Sequence, residues 1–258
     1  RDGADFRDHL LAKGLSSASV RRVFSTVKAV INLCISEHGM HLSNPFGGVF
    51  IPEDNFETKR QPIPLSDIRN VQAECCEYDD DQRWLIALIS DSGMRLSEAY
   101  GLLANDIKLD VEIPYLDIKP HPWRRLKTKG SARQLPLAGS SLWAAQRVVT
   151  NASEEFAFPR YCNDTAVKAN SASAALNKWL KVHISKEVVV HSLRHAMRDR
   201  LRAVECPADL IDQIGGWSRL GIGEGYGSGY KVEHLHLWLL KTTKPYGGLL
   251  YQTKTNIV

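Results

Sequence analysis

VHSLRHAMRDRLRAVECPADLIDQIGGWSRLGIGEGYGSGY, residues 190–230, is the stretch that decides how the rest of the chain is read. It opens with His191, Ser192, Leu193, Arg194 and His195 at helical spacing and closes in a glycine-rich run with two tyrosines, Tyr226 and Tyr230. Residues three apart share a helix face, so His191 and Arg194 present an imidazole and a guanidinium side by side. The guanidinium offers two parallel donors to a phosphate and keeps its charge, while the imidazole can move a proton near neutral pH. Downstream, Tyr226 supplies a hydroxyl on a backbone with glycine at positions 221, 223, 225, 227 and 229. Each glycine inside a helix costs ~1 kcal/mol relative to alanine, which predicts a loop or loosely held segment around Tyr226. The plainer reading is a solvated basic face, continued by Arg198, Arg200 and Arg202, followed by an ordinary loop.

Composition narrows the classes. With 258 residues, 43% of them hydrophobic, the chain can fill one large core or two smaller ones. A net charge of +4 barely favours an anionic partner, but the charge is unevenly spread. Between His121 and Arg133 lie Arg124, Arg125, Lys127, Lys129 and Arg133 with no acid, whereas residues 74–81 are acidic. Clustered positive charge of this kind is the footprint of a phosphate-backbone binder. Five cysteines, with no C-x-x-C, fit a reducing compartment and argue against a zinc ribbon. No signal-peptide pattern or membrane-length apolar run occurs, so a cytoplasmic protein without a membrane partner is expected. The direct opening in RDGADFRDHL suggests a fragment.

Working outward, residues 5–50 read as helical, with Val20, Val23, Phe24, Val27, Val30, Ile31, Cys34 and Ile35 in register, Ser19 as N-cap and Gly39 as stop. Arg21, Arg22 and Lys28 lie off that stripe, either as a solvated face or as contacts to a DNA backbone. Pro52, Pro62 and Pro64 bracket a charged, poorly periodic stretch that reads as a linker. Helices are expected near Leu65–Tyr78 (capped by Ser66), through Trp84–Ile89 to a stop at Gly93, and from Arg95 to Leu103. VEIPYLDI, WRRLKT and ARQLPL then read as short strands of an antiparallel sheet, with a turn at Lys129–Ser131. Further helices are expected at Ser140–Asn151, Ser171–His183, Ser192–Val204, Pro207–Ile214 and Val232–Lys241. The fold class is therefore mainly α with a small antiparallel sheet (α+β). The expected domains are a helical unit over 1–52, a linker over 53–64 and a second domain over 65–258.

Arg95 follows the Gly93 stop at a helix start, where backbone N–H groups also favour an anion. Glu98 lies one turn on, and an ordinary exposed Arg95–Glu98 pair is the bland alternative. Four boxes now stand in order: DSGMRLSEAYGL, RLKTKGSARQLPL, HSLRHAM and IGGWS…GEGYG. Together they resemble the catalytic domain of the tyrosine recombinases, the phage integrase family, from roughly Leu65 to Leu240. Residues 5–50 resemble the end of that family's helical core-DNA-binding domain.

The resemblance implies roles. Arg95 and Arg194 match the two arginines that grip the scissile phosphate, and Glu98 matches their supporting acid. Lys127 matches the hairpin lysine that protonates the leaving 5′-oxygen, with Lys129 as its competitor. His191 matches the proton-transfer histidine. Trp217 stands where most members have histidine; its indole N–H only donates. Tyr226, nine residues later, falls at the nucleophile, and Tyr230 reads as a packing residue or anchor. Arg21, Arg22, Lys28, Arg124, Arg125, Lys129, Arg133 and Arg198 are the expected DNA contacts. Neither metal nor cofactor is required, because arginines and lysine supply the charge.

The implied activity is site-specific DNA recombination through a 3′-phosphotyrosine. Its partners are double-stranded DNA, four protomers with the segment from Val232 docking on a neighbour, and possible accessory DNA-bending proteins. The implied setting is the nucleoid of a bacterial cell. Three alternatives stay open: a type IB topoisomerase-like strand transferase, a non-catalytic DNA-binding relative, and a metallohydrolase using His191 and His195. The last lacks the glutamate of H-E-x-x-H.

Overall fold

A computed structural model describes residues 2–53, 62–152, 155–217 and 229–243. The chain forms two compact units, Arg1–Arg60 and Gln61–Val258. In the first, α1 (Asp2–Ala12) and α2 (Ser17–Glu37) close on Leu10, Val20 and Phe24, with Phe6 and Phe46 at ring-centroid distances of 5.7 and 5.8 Å from Phe24. The cap of α2 is Ser16, whose Oγ accepts from Ser19 N at 3.3 Å, so Ser19 sits in the first turn. The helix ends at Glu37 and Gly39, the expected stop, turns the chain at φ +55°; residues 40–50 beyond it are not helical. Of the expected apolar stripe only Val20 and Phe24 are buried; Val30 is 58% exposed and Cys34 is exposed as well.

The second unit is built around α4 (Asp81–Ser92). Residues 85–92 are buried on every side, as expected of a helix that is apolar nearly all round. Asp80 caps its start by accepting from Arg83 N at 3.0 Å, and Gly93 ends it in the left-handed region at φ +66°. Against it pack α3 (Leu65–Tyr78), α6 (Ser140–Asn151), α7 (Ala169–His183) and α8 (Val190–Ala203). Pro64, not Ser66, precedes α3; the Ser66 hydroxyl donates to Asp67 instead. Short helices α5 (Leu96–Tyr100) and α9 (Ala208–Gly215) border the site described below.

The sheet is antiparallel in the order β1 (Ile107–Lys108), β2 (Tyr115–Ile118), β3 (Arg133–Pro136). WRRLKT, the middle one of the three expected strands, is not a strand, and Ile107–Lys108 completes the sheet instead. Pro120 and Pro122 withhold ladder donors, and the inward turn of Arg124 leaves residues 119–128 as a loop with one bridge, His121 to Arg124. The expected turn at Lys129–Ser131 is a single 3-10 turn.

The part of the carboxy-terminal segment described, α10 (Val232–Thr243), packs on β3, α4 and α8 of its own unit. Leu235 and Leu239 are buried, and Thr242 O accepts from Arg69 Nη2 at 3.0 Å. Beneath it lies a buried polar cluster. Asp91, fully buried, accepts from Arg200 Nη1 at 2.7 Å and from Ser140 N at 2.8 Å. Removing one partner of a buried ion pair strands the other charge. Asp91→Ala is therefore expected to lower stability by about 3–5 kcal/mol, read as a shift of the urea unfolding midpoint. A change within error would show that Arg200 finds solvent without it.

Candidate active site

Arg95 sits at the turn between α4 and α5 and is held on three sides. Its Nη1 donates to Glu98 Oε1 at 2.6 Å and to Ser131 Oγ at 3.2 Å, and its Nη2 to Gly216 O at 2.8 Å. Arg194, only 2% exposed, reaches the same corner from α8: its Nη1 donates to Gly93 O and Gly215 O, each at 2.6 Å. Two guanidiniums, distant in sequence, thus converge on consecutive carbonyls at the end of α9. Trp217 follows directly; Arg194 lies over its ring at 4.2 Å and Arg198 at 4.9 Å. Gly215 makes this possible, since a Cβ there would fall 1.7 Å from the indole.

Among the described residues, one carboxylate serves this corner. Glu98, 2% exposed, also accepts from Arg95 N at 3.0 Å and from Arg133 Nη2 at 3.1 Å. Burial by itself pushes its carboxyl up, but Arg133 and then Arg95 outweigh that and hold it below the usual range. Arg194 has no carboxylate within ion-pair distance among the described residues. Burial, and after it the nearby Arg95 charge, pushes its pKa down to about 9, which leaves it charged at neutral pH. The corner is a desolvated cluster with more positive than negative charge, the condition that an anionic ligand relieves.

The remaining expected residues fall around it unevenly. His191 is exposed at the first turn of α8, edge-to-face with His195 at 4.7 Å, and lines a cavity of about 190 Å³ with Met94 and Leu96, the neighbours of Arg95. Lys127 is exposed on the β2–β3 connection, next to Thr128, whose Oγ1 lies 2.9 Å from Ser131 Oγ. Lys129 contributes its backbone to the 3-10 turn. Tyr226 lies outside the described residues. The Tyr230 hydroxyl donates to the Asp209 carboxylate, and Gln213 brackets its backbone at 2.8 and 2.9 Å.

Two of the expected DNA contacts are corrected. Arg124 (4% exposed) donates to Glu98 O and Lys119 O, and Arg133 is buried against Glu98, Ile214 O and Ser131 O. Neither guanidinium reaches a surface that a duplex could touch. Arg125 is exposed, and Arg198 pairs with Asp212 at 3.2 Å. In the first unit Arg22 is exposed and Lys28 partly so, while Arg21 donates to the carbonyls of Ile51 and Pro52. Sequence reasoning missed Ser131 and the carbonyls of residues 215 and 216; the paired glycines before Trp217 were the available signal. Among the described residues, no group of three His, Cys, Asp or Glu side chains could hold a metal ion, and no helix is long and apolar enough to cross a membrane.

The sequence pattern of the phage integrase family matches residues 66–229. No curated protein matches the chain. Among solved structures, the Tn1549 transposon integrase (residues 82–397) with circular intermediate DNA superposes at a TM-score of 0.59 and 18% identity, covering 92% of this chain and 83% of that one. A lambda integrase (75–356) dimer bound to a COC′ core site gives 0.56 at 14% identity, covering 85% and 81%. The lambda integrase tetramer bound to a Holliday junction gives 0.58 at 14%, covering 84% and 63%.

Because the depressed Glu98 carboxyl favours the folded state only while ionised, its contribution is present above the unfolded carboxyl pKa of about 4.3. It is lost as the pH falls through the lower folded value. Wild type is therefore expected to be more stable than Glu98→Gln at pH 7, with the gap closing below about pH 4. Thermal melts of the two proteins across that range test this; a gap independent of pH would refute it.

Proposed function

The chain belongs to the phage integrase family and carries a tyrosine recombinase catalytic domain; from that premise we propose that it cuts and rejoins DNA at specific sites through Tyr226. The observation that carries the reading is the convergence of Arg95 and Arg194 on one desolvated corner where, among the described residues, Glu98 is the only carboxylate that bonds to either of them or to Arg133. Cleavage of a phosphodiester places extra negative charge on the non-bridging oxygens, and preorganised cations aimed there lower the barrier most. The two arginines take those oxygens, and the Trp217 indole N–H, held beneath Arg194, donates a further hydrogen bond.

The tyrosine oxygen forms a bond to phosphorus as the bond from phosphorus to O5′ breaks. The phenol proton passes toward His191, and a lysine of the β2–β3 connection, Lys127 with Lys129 as its competitor, protonates O5′. The 3′-phosphotyrosine ester keeps the bond energy, so a 5′-hydroxyl from a second strand reverses the attack and completes exchange. No metal enters this scheme.

Lambda integrase occurs as a tetramer on a Holliday junction, and by that likeness four copies of this chain act on two DNA duplexes, with accessory DNA-bending proteins as further partners. Arg21, Arg22 and Lys28 of the first unit, together with Arg125, Lys129 and Arg198, contact the phosphate backbone. The setting is the nucleoid of a bacterial cytoplasm, with residues 1–52 as a core-DNA-binding domain, 53–64 as linker and 65–258 as the catalytic domain.

A nicked suicide substrate that loses its 5′-hydroxyl strand traps the intermediate. The expected result is a covalent adduct with wild type and with Tyr230→Phe, none with Tyr226→Phe, and cleavage slowed roughly 10²–10³-fold in Arg194→Ala. An adduct that survives Tyr226→Phe but disappears in Tyr230→Phe would overturn the nucleophile, and the absence of any adduct would leave a DNA binder that does not cut.

A further inference from the structure

Residues 119–132 join β2 to β3 and carry both lysines, yet Arg124 within them and Arg133 at the start of β3 point away from solvent. Arg124 Nη1 donates to Glu98 O at 2.6 Å and its Nη2 to Lys119 O at 2.6 Å. Arg133 donates through Nη2 to Glu98 Oε2 at 3.1 Å, through Nη1 to Ser131 O at 2.7 Å, and through Nε to Ile214 O at 2.9 Å. The two guanidiniums therefore take opposite ends of the same residue, one its main-chain carbonyl and the other its carboxylate. Between them, Thr128 Oγ1 meets Ser131 Oγ at 2.9 Å, and Ser131 Oγ accepts from Arg95 Nη1 at 3.2 Å. The connection is fastened before, within and after the lysine segment, each time to Glu98 or to Arg95.

We propose that Arg124 and Arg133 are positioning residues that close on Glu98 and so hold the β2–β3 connection with its lysine over the phosphate gripped by Arg95 and Arg194. Withdrawing cations from water is costly, and a contact to the phosphate backbone gains nothing from it. What burial does supply is rigidity, because a main-chain carbonyl gripped by a packed guanidinium cannot drift. Proton transfer to a leaving oxygen depends steeply on that placement. Gly101 belongs to the same device: a Cβ there would lie 2.7 Å from Arg124 Cδ. Its own backbone, at φ −92° and ψ 14°, would accept alanine. Gly101→Ala thus disturbs the site through Arg124.

The inference rests on the recombinase reading, and its test separates the two. On an ordinary strand the departing O5′ needs a proton, whereas a 5′-bridging phosphorothiolate releases a thiolate that needs none. In both reactions the tyrosine oxygen bonds to phosphorus and the bond to the 5′ atom breaks. With Arg124→Met, adduct formation on the ordinary strand is expected to slow on the order of 100-fold, and on the 5′-thio strand to stay within about tenfold of wild type. A double variant lacking Lys127 and Lys129 should show the same pattern, and Gly101→Ala a weaker version of it. Arg124→Met or Gly101→Ala slowed equally on both strands would mean that the arginine only supports folding. Arg124→Met as fast as wild type on both would show that the grip on Glu98 is irrelevant to the lysine; either result overturns the proposal. If wild type forms no Tyr226-dependent adduct on either strand, the reading of the whole site falls, and this inference falls with it.

Discussion

A buried carboxylate shared between two arginines is the constraint on which this site depends. Glu98 is withdrawn from water, which disfavours its charge, and it stays ionised because Arg133 and Arg95 both bond to it. Each partner brings a different part of the chain. Arg95 comes from the turn after the central helix, Arg133 from the first residue of β3, and Arg133 in turn holds the last turn of α9 through Ile214 O. That carboxylate joins the turn after α4 to β3, and the bonds of Arg95 and Arg133 to the carbonyls of Gly216 and Ile214 extend the attachment to the end of α9.

The arrangement leaves a deliberate imbalance. One carboxylate cannot neutralise Arg95, Arg133 and Arg194 together, and Arg194 is instead held by the carbonyls of Gly93 and Gly215. Carbonyl dipoles orient a guanidinium without cancelling its charge, so the corner stays attractive to an anion while the side chains are already in place. The glycines follow from the same crowding. Gly93 and Gly216 adopt left-handed backbone angles, and a side chain on Gly216 would meet Arg133 at 2.6 Å. Stability is drawn from elsewhere in the unit, chiefly the apolar core around the buried residues 85–92 of α4.

Most helices were legible because their signals are local. The boundaries of α3 and α6 coincide with those expected from periodicity, and Gly39 and Gly93 stop their helices as expected. Local signals also misled. Ser19 and Ser66 are good capping residues one or more positions inside their helices, and nothing in the sequence ranks them below Ser16 or Pro64. WRRLKT has the composition of a strand, but its arginine found acceptors in the interior and the segment stayed a loop. A basic cluster reads as one surface in a string of letters, although Arg124 and Arg133 turn inward.

By itself, then, the order of residues determined the fold class and the family, because periodicity and the succession of the four boxes are properties of the chain alone, while that Arg95, Glu98 and Arg194 belong together was only implied by the resemblance. Only the tertiary structure decided which cations are buried and which meet solvent. That choice turns on acceptors such as the carbonyls of residues 98, 119, 215 and 216, which every peptide unit possesses and no side-chain pattern distinguishes. Packing alone determines which of those carbonyls is left without a helical or sheet partner, and so which arginine it captures.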